Sequence, residues 1–240
     1  MRKKQRLAVA EGVRLVEDAL AAGVVFRGVM VSKEFGDTER AAKLLRDLSA
    51  RAVPIEDVAE SVLAQLADTD TPQGVLAVFE PPTWSWDRIA VAPGAPVLVL
   101  DGVQDPGNVG TLLRTAFALG AAGTLLLPGT ADLTNPKVIR SGMGATFRLP
   151  SATVSLEEFG AWVERERATV WAAAMEGTPL QRVPRPERLA LIVGSEGAGI
   201  SAGVAALATA RVTIPLARGA ESLNVAVAAG IILQRAQHDR

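Results

Sequence analysis

The sequence predicts an α/β protein in two parts, a small N-terminal α/β or α+β unit and a C-terminal α/β domain on a largely parallel sheet. Three observations carry that reading. Strand-like and helix-like segments alternate along most of the 240 residues, the pattern by which helices cover a sheet. A Pro- and Trp-bearing stretch from Glu80 to Gly94 follows neither period and divides the chain. Beyond it, three strands run directly into Gly-, Asn- and Ser-containing loops, the place where open parallel sheets hold ligands.

Composition narrows the chemistry. Hydrophobic residues at 49% and charged residues at 21% give a core and exclude intrinsic disorder. A net charge of -1, from 25 Lys+Arg against 26 Asp+Glu, excludes a histone-like basic coat and leaves room only for local patches, such as Arg2, Lys3, Lys4 and Arg6 with Arg14. Without Cys there is no disulfide, thiolate nucleophile, iron–sulfur cluster or Cys-based zinc site. The one His, His238, stands third from the end and makes no metal centre, so no metal is expected. Catalysis must then use Arg, Lys, carboxylates, hydroxyls and amides. The apolar run Leu7-Ala-Val-Ala10 is too short for a signal peptide, so a cytoplasmic protein is expected. Leu189 to Ala210 has bilayer length with Glu196 as its only charge. Its glycines at 194, 197, 199 and 203 read instead as a strand, a turn and a small-residue helix, with no membrane span.

Element by element, Gly12–Leu20 spaces Val13, Val16 and Leu20 as a helix that Gly23 stops. Phe26–Val31 reads as a strand, Thr38–Ser49 as a helix, Ala52–Ile55 as a short strand, Ile55–Leu66 as a helix and Gly74–Phe79 as a strand. These make a domain over residues 1–80, with a linker over 81–94 and a second domain over 95–240. In the second domain the strands are Pro96–Asp101, Gly123–Leu127, Thr169–Ala173, Leu189–Val193 and Arg211–Pro215. Its helices are Asn108–Leu119, Pro136–Gly142, Leu156–Glu166 and Ser222–Gln237.

Three strand ends stand out. After Asp101 comes Gly102-Val-Gln-Asp-Pro-Gly-Asn-Val-Gly110, with Asn108 as a helix cap or a ligand contact and Arg114 in the second turn, able to join helix-end amides in holding phosphate or to make a surface ion pair. After Val193 comes Gly194-Ser-Glu-Gly-Ala-Gly199. Its Gly197-Ala-Gly199-Ile-Ser-Ala202 matches a dinucleotide fingerprint, yet Glu196 lies beside the supposed pyrophosphate and too little chain follows for the rest of such a fold. A tight turn packing a helix on the sheet explains it better. After Pro215 comes Leu216-Ala-Arg-Gly-Ala-Glu-Ser222, where Ser222 is a natural cap. Asn224 sits in a helix of Ala, Val and Ile, where a buried amide needs partners. The small residues of that helix suit a dimer seam as well as a core.

Four ordered motifs resemble those of the SpoU (TrmH-like) RNA 2′-O-methyltransferases of the SPOUT class. They are Pro106-Gly-Asn-Val-Gly-Thr-Leu-Leu-Arg-Thr-Ala116, Ser141-Gly-Met-Gly-Ala-Thr-Phe-Arg-Leu-Pro150, Leu191-Ile-Val-Gly-Ser-Glu-Gly-Ala-Gly199 and the run from Ile214 to Gly230. The first eighty residues resemble that family's L30e-like substrate-binding domain, notably Glu11-Gly-Val-Arg-Leu-Val16 and Thr71-Pro-Gln-Gly-Val-Leu-Ala77. The resemblance implies a SPOUT domain with a deep C-terminal trefoil knot, which general fold rules disfavour. It also implies a homodimer, S-adenosylmethionine as cofactor, and an RNA substrate, ribosomal RNA before transfer RNA. By the same resemblance Arg114 matches the catalytic arginine, and Asn108, Glu196, Ser222 and Asn224 match other active-site positions. The donor is held around Gly194, Ile214 and Leu223, with Leu216 and Asn224 nearby. Ser195, Leu216 and Ala226 stand where Asn, Met and Ser are frequent, departures that bear on substrate fit.

The residue chemistry agrees. Methyl transfer from a sulfonium to a ribose hydroxyl is an in-line displacement that needs a placed oxygen and no metal. Arg114 would hold the neighbouring phosphate and lower the hydroxyl's pKa, or act as base if its own pKa were depressed. Protein arginines stay protonated, which favours the first role. The absence of Cys and the scarcity of aromatics argue for ribose rather than base methylation. Two other classes compete: an NAD-dependent oxidoreductase, resting on the Gly197 lookalike, and an RNA-binding factor with a decayed active site, against which the intact polar residues argue.

Overall fold

The computed structural model describes residues 7–67, 69 and 72–236. They form two units, and the division is not the simple one the sequence predicts. One unit takes the chain up to Pro82 together with Leu133–Arg148, and the other takes Thr83–Asp132 and the chain from Leu149 onward.

The N-terminal unit has a four-stranded mixed sheet in the order β1 (Ala8–Glu11), β4 (Val75–Glu80), β2 (Val25–Ser32), β3 (Ile55–Val58). β4 is antiparallel to both neighbours, and β3 is parallel to β2. Helix α1 (Val13–Ala21) buries Leu15, Val16, Ala19 and Leu20, and α2 (Glu39–Ala50) buries Ala41, Leu44 and Leu48, each a stripe at helical spacing. Thr38 caps α2 by accepting from the Ala41 amide at 3.2 Å.

β1 was not expected from the sequence. Its four residues carry too little pattern to stand alone and gain order by pairing Ala10 with Ala77. The strand expected at Ala52–Ile55 lies at Ile55–Val58, because Ala52 and Val53 are used to close α2 through bonds to the Ser49 and Leu48 carbonyls. The helix expected from Ile55 consequently shrinks to α3 (Glu60–Leu66).

Helices α5 (Pro136–Gly142) and α6 (Ala145–Arg148) lie within the stretch expected as the second domain yet join this unit's core through Ile139 and Phe147. Phe147 meets Phe79 edge to face at 5.2 Å. Gly144, at φ 79, lies so close to Asp18 that a Cβ would sit 2.9 Å from its carboxyl.

In the second unit the described strands form a six-stranded sheet in the order β10 (Ala210–Thr213), β8 (Thr169–Pro179), β9 (Leu189–Gly194), β5 (Val97–Asp101), β6 (Gly123–Leu126), β7 (Ser151–Thr153). Every pairing in it is parallel. The central strands β5 and β9 are continuous apolar runs, as burial on both faces demands. Helices α4 (Pro106–Ala118) and α9 (Val225–Ala236) pack on one another. Helix α7 (Leu156–Glu166) begins with a reciprocal capping box between Ser155 and Glu158. α8 (Ala202–Ala205) is a single turn.

The stretch expected as a linker is built into this unit. Ile89 and Val91 are buried in its core, the Trp162 indole donates to the Ile89 carbonyl at 2.5 Å, and Glu166 accepts from the Val91 amide at 3.1 Å. The alternating apolar residues Ile89 and Val91 were the available sign. No helix among the described residues is long and apolar enough to cross a membrane.

Candidate active site

Because the sheet is parallel, β5, β9 and β10 end on one edge, and the loops that follow them meet there. Each loop is set by local chemistry. After β5, Asp105 caps α4 by accepting from the Asn108 amide at 2.8 Å, with Pro106 in the first turn. The expected capping role of Asn108 thus falls to Asp105, and the Asn108 side chain is released for other contacts.

After β9, Ser195 and Gly199 exchange two backbone hydrogen bonds of 3.0 and 3.1 Å. A Cβ on Gly194 would fall 2.2 Å from the Gly199 carbonyl carbon, so this crossing admits only glycine. The Gly197 lookalike is therefore a tight turn. Asp101 accepts from the Ser201 amide at 2.6 Å, a carboxylate at the helix start where a dinucleotide site would bring pyrophosphate.

After β10, α9 starts at Val225 rather than Ser222, and Asn224 is its cap. The Asn224 carboxamide oxygen accepts from the amides of Ala226 and Val227 at 2.9 and 3.4 Å. Asn224 is thus explained by capping after all, and Ser222 lies in the exposed loop before the helix. Gln237 and His238 lie outside the described residues.

One directed run of hydrogen bonds ties the three loops. The Asn224 amide nitrogen donates to Asn108 Oδ1 at 2.9 Å, and Asn108 Nδ2 donates to Glu196 Oε1. The cap fixes which way Asn224 faces, Asn224 fixes Asn108, and Asn108 presents its donor to the carboxylate.

Beside this run lies a cavity of about 530 Å³, within the range of cofactor pockets. Gly194, Glu196, Ile214, Leu216, Ser222, Leu223 and Asn224 all line it. Asn108 reaches it through its two partners, whereas Arg114 does not line it. That arginine is exposed on α4, with no hydrogen bond or ion pair among the described residues.

A further wall was not foreseen. β8 pairs with β10 at Trp171 and Ala172 and again at Thr178 and Pro179, opposite the consecutive residues 210 to 213, so Ala173–Gly177 bulge out of the ladder. Ala173, Ala174 and Met175 line the cavity, and Thr213 Oγ1 donates to the Met175 carbonyl at 2.9 Å. Gly177, whose Cβ would stand 2.5 Å from the Arg211 carbonyl oxygen, marks the bulge and was its one sequence signal.

A parallel sheet whose polar strand-end loops close around one cavity defines an α/β domain of the ligand-binding, enzymatic kind. The model of the SpoU rRNA Methylase family matches residues 95–234, that of the MRM3-like substrate binding domain matches residues 1–77, and the chain belongs to the SpoU family. The chain is 36% identical to the 23S rRNA (guanosine(2553)-2′-O)-methyltransferase RlmP of Bacillus subtilis, over 97% of this chain and 89% of that protein. It is 33% identical to a 23S rRNA (uridine(2479)-2′-O)-methyltransferase of Streptomyces viridochromogenes, over 95% and 82%. The crystal structure of the SpoU methyltransferase AviRb from the same organism, in complex with the cofactor AdoMet, superimposes with a TM-score of 0.87 at 31% identity, covering 98% of this chain and 91% of that one.

Proposed function

We propose that the chain transfers a methyl group from S-adenosylmethionine to a ribose 2′-hydroxyl of ribosomal RNA. The observation that carries this reading is the cavity bounded by Gly194, Ile214, Leu216 and Leu223, with the Asn224–Asn108–Glu196 run at its side. Its residues fit the donor. Exposed backbone at the strand ends and the apolar side chains of Leu216, Leu223 and Met175 suit an adenosine, and Ser222, Asn224 and Glu196 suit the charged amino-acid end. When bound, S-adenosylmethionine supplies an electrophilic methyl on a sulfonium.

The remaining work belongs to the chain. Gly194, Ile214 and Leu223 hold the donor mainly through backbone, with Leu216 and Asn224 beside it. Asn108, Glu196, Ser222 and Asn224 form a polar edge that orients the ribose, a placement worth much of the barrier in a two-reactant displacement. Arg114 grips the phosphate next to the reacting ribose and favours loss of the hydroxyl proton through its charge.

Because Arg114 lies outside its own cavity lining, a partner copy completes the site in this reading. Phe117 on α4 and Val227 and Ile231 on α9, 41%, 51% and 41% exposed on two helices that pack together, support a homodimer seam there. The deep trefoil knot belongs to the same reading. Its support is the insertion of β9 between β8 and β5 before the chain crosses to the far edge as β10 and returns as α9 onto α4. The N-terminal unit, as an L30e-like domain, captures RNA. Arg14 is exposed there, while Arg2, Lys3, Lys4 and Arg6 lie outside the described residues.

Calorimetry with S-adenosylhomocysteine and NAD, followed by mass spectrometry of nucleosides from methylated ribosomal RNA, tests the proposal. Binding of the first ligand alone and a methyl on ribose are expected. NAD binding without S-adenosylhomocysteine binding, or a methyl on a base, overturns it.

A further inference from the structure

Among the described residues, three stretches that resemble the family's motifs contribute nothing to the donor cavity: Glu11–Val16, residues 72–77 and the segment that includes Ser141. Parts of the first and of the helix that carries Ser141 meet at a second cavity, of about 230 Å³, wholly within the N-terminal unit. β1 supplies Val9 and Glu11, α1 supplies Leu15, the end of α3 supplies Leu66, and α5 supplies Pro136 and Arg140. The walls are apolar on several sides, with one carboxylate and one guanidinium. Thr69 donates to Glu11 Oε1, which fixes the direction of that carboxylate. Leu66 is 43% exposed at the rim.

This is a different chemistry from the donor cavity. It is smaller than the ~300 Å³ at which drug-sized pockets begin, the scale of a single ring system. A small slot that combines apolar side chains with an oriented acceptor and a cation suits a flat heteroaromatic that carries adjacent donors on one edge and adjacent acceptors on another. Guanine has that pattern. Its N1–H and N2–H₂ donate side by side, and its O6 and N7 accept side by side, the pair that arginine reads. Adenine offers a carboxylate only one donor per edge, next to an unprotonated ring nitrogen. Both edges of guanine are accessible together only when the base is unpaired and turned out of its stack, as in RNA loops and bulges.

We infer that the cavity between β1, α1 and α5 receives an unpaired guanine base of the RNA substrate, recognised by Glu11 and Arg140. The inference rests on the RNA methyltransferase reading and deepens it. The N-terminal unit then selects RNA by a base and not by phosphate charge alone. Helix α5, encoded within the catalytic half of the chain, supplies part of the pocket, which gives a reason for that segment to belong to the N-terminal unit.

The test uses the full chain saturated with S-adenosylhomocysteine, so that the donor cavity is filled. Guanosine 5′-monophosphate is titrated while the methyl resonances of Val9, Leu15 and Leu66 are followed by NMR, with adenosine 5′-monophosphate as control. The guanine nucleotide is expected to shift all three, and the adenine nucleotide to leave them in place. Glu11→Gln, which keeps the shape and the Thr69 contact, should weaken the guanine nucleotide about tenfold, the loss expected for a charge-assisted hydrogen bond. Leu66→Trp, which fills the rim from an exposed position, should raise KM for RNA by about tenfold on the same ground, with S-adenosylhomocysteine affinity serving as the folding control. Equal shifts with both nucleotides, or none, overturn the assignment. A guanine-specific shift with an RNA KM unchanged in Leu66→Trp overturns the RNA base as occupant in favour of a free guanine nucleotide. Failure of S-adenosylhomocysteine to bind the unmodified chain sinks the methyl-transfer reading instead, so the two failures are told apart.

Discussion

The two sheets place their polar residues in opposite ways. In the second unit every strand runs parallel, so the loops after β5, β9 and β10 share one edge, and Asn108, Glu196 and Asn224 meet although they stand far apart in sequence. In the N-terminal unit β4 runs against both neighbours, strand ends are divided between two edges, and the cavity forms on a flank between β1, α1 and α5. A parallel sheet concentrates chemistry at a point, whereas a mixed sheet offers faces. The first arrangement suits a small donor that must be held in one geometry, and the second suits capture of an extended substrate.

Arg114→Ala probes the concentrated site and should show the largest effect. Loss of one group that stabilises developing charge costs about 10²–10³-fold in kcat, and donor affinity should hold because Arg114 does not line the donor cavity. Single-turnover kinetics with calorimetry decides, and wild-type turnover would remove Arg114 from its role. Phe147→Ala probes the other sheet. Phe147 is 4% exposed and packs on Phe79, so the change should destabilise the N-terminal unit by about 3–5 kcal/mol in urea unfolding. Donor binding should persist. Parallel loss of both would mean that the two units unfold as one, against the contrast drawn above. The same packing means that deleting residues 1–82 strips the cover from Ile139 and Phe147, so such a truncation exposes a core face as well as removing the surface proposed to capture RNA.

Asn108→Leu comes next. It deprives Glu196 of a donor and Asn224 of an acceptor at once, and donor affinity should fall by about tenfold, the net worth of a hydrogen bond at a solvent-accessible site. Thr38→Ala removes a comparable local bond in the N-terminal unit, at the cap of α2. It should cost only about 1 kcal/mol of stability, with no change at the donor cavity. Similar donor affinities for the two variants would show that the asparagine run does not organise the site.

What was legible in the sequence follows the range of the interactions involved. Helix α7 could be placed to the residue because Ser155 and Glu158 form a local capping box, and α5 because its start and stop are local too. The strand-end loops were legible because Gly and Asn mark turns and Ser and Asn cap helices, and of the residues singled out there all but Arg114 line the cavity or bond to those that do. The caps themselves were misplaced by two or three residues. Asp105 and Asn108, or Ser222 and Asn224, are equally good cap types, and only the fold decides between them. The pairing that orders β1 and the transfer of Leu133–Arg148 to the N-terminal unit depend on contacts distant in sequence and no local pattern announces them, while the β8 excursion with Met175 had only Gly177 as a local mark.

Acid titration sharpens the comparison at its weakest effect. In the N-terminal unit, hydrogen bonds from Arg40 to Glu17, at 3.0 and 3.1 Å through its Nε, hold the Glu17 carboxyl below the usual range, with the Arg40, Lys43 and Arg14 charges adding to this and burial opposing it. In the second unit, Glu157 at the start of α7 is also lowered, by its own backbone amide and then by the Ser155 hydroxyl, with no cation involved. Both groups bind protons more weakly folded than unfolded. Each therefore adds stability that is present above the unfolded carboxylate pKa and is lost as pH falls through the lower folded value. Salt separates them. At 1 M ionic strength the Debye length is about 3 Å, so the charge contribution at exposed Glu17 is screened, whereas hydrogen bonds within one helix turn are not. Carboxyl NMR titrations of the full chain at low and high salt should show Glu17 moving up toward its ordinary value while Glu157 stays. Movement of both together would place a general surface field, rather than the Arg40 pair, behind the behaviour of the N-terminal unit.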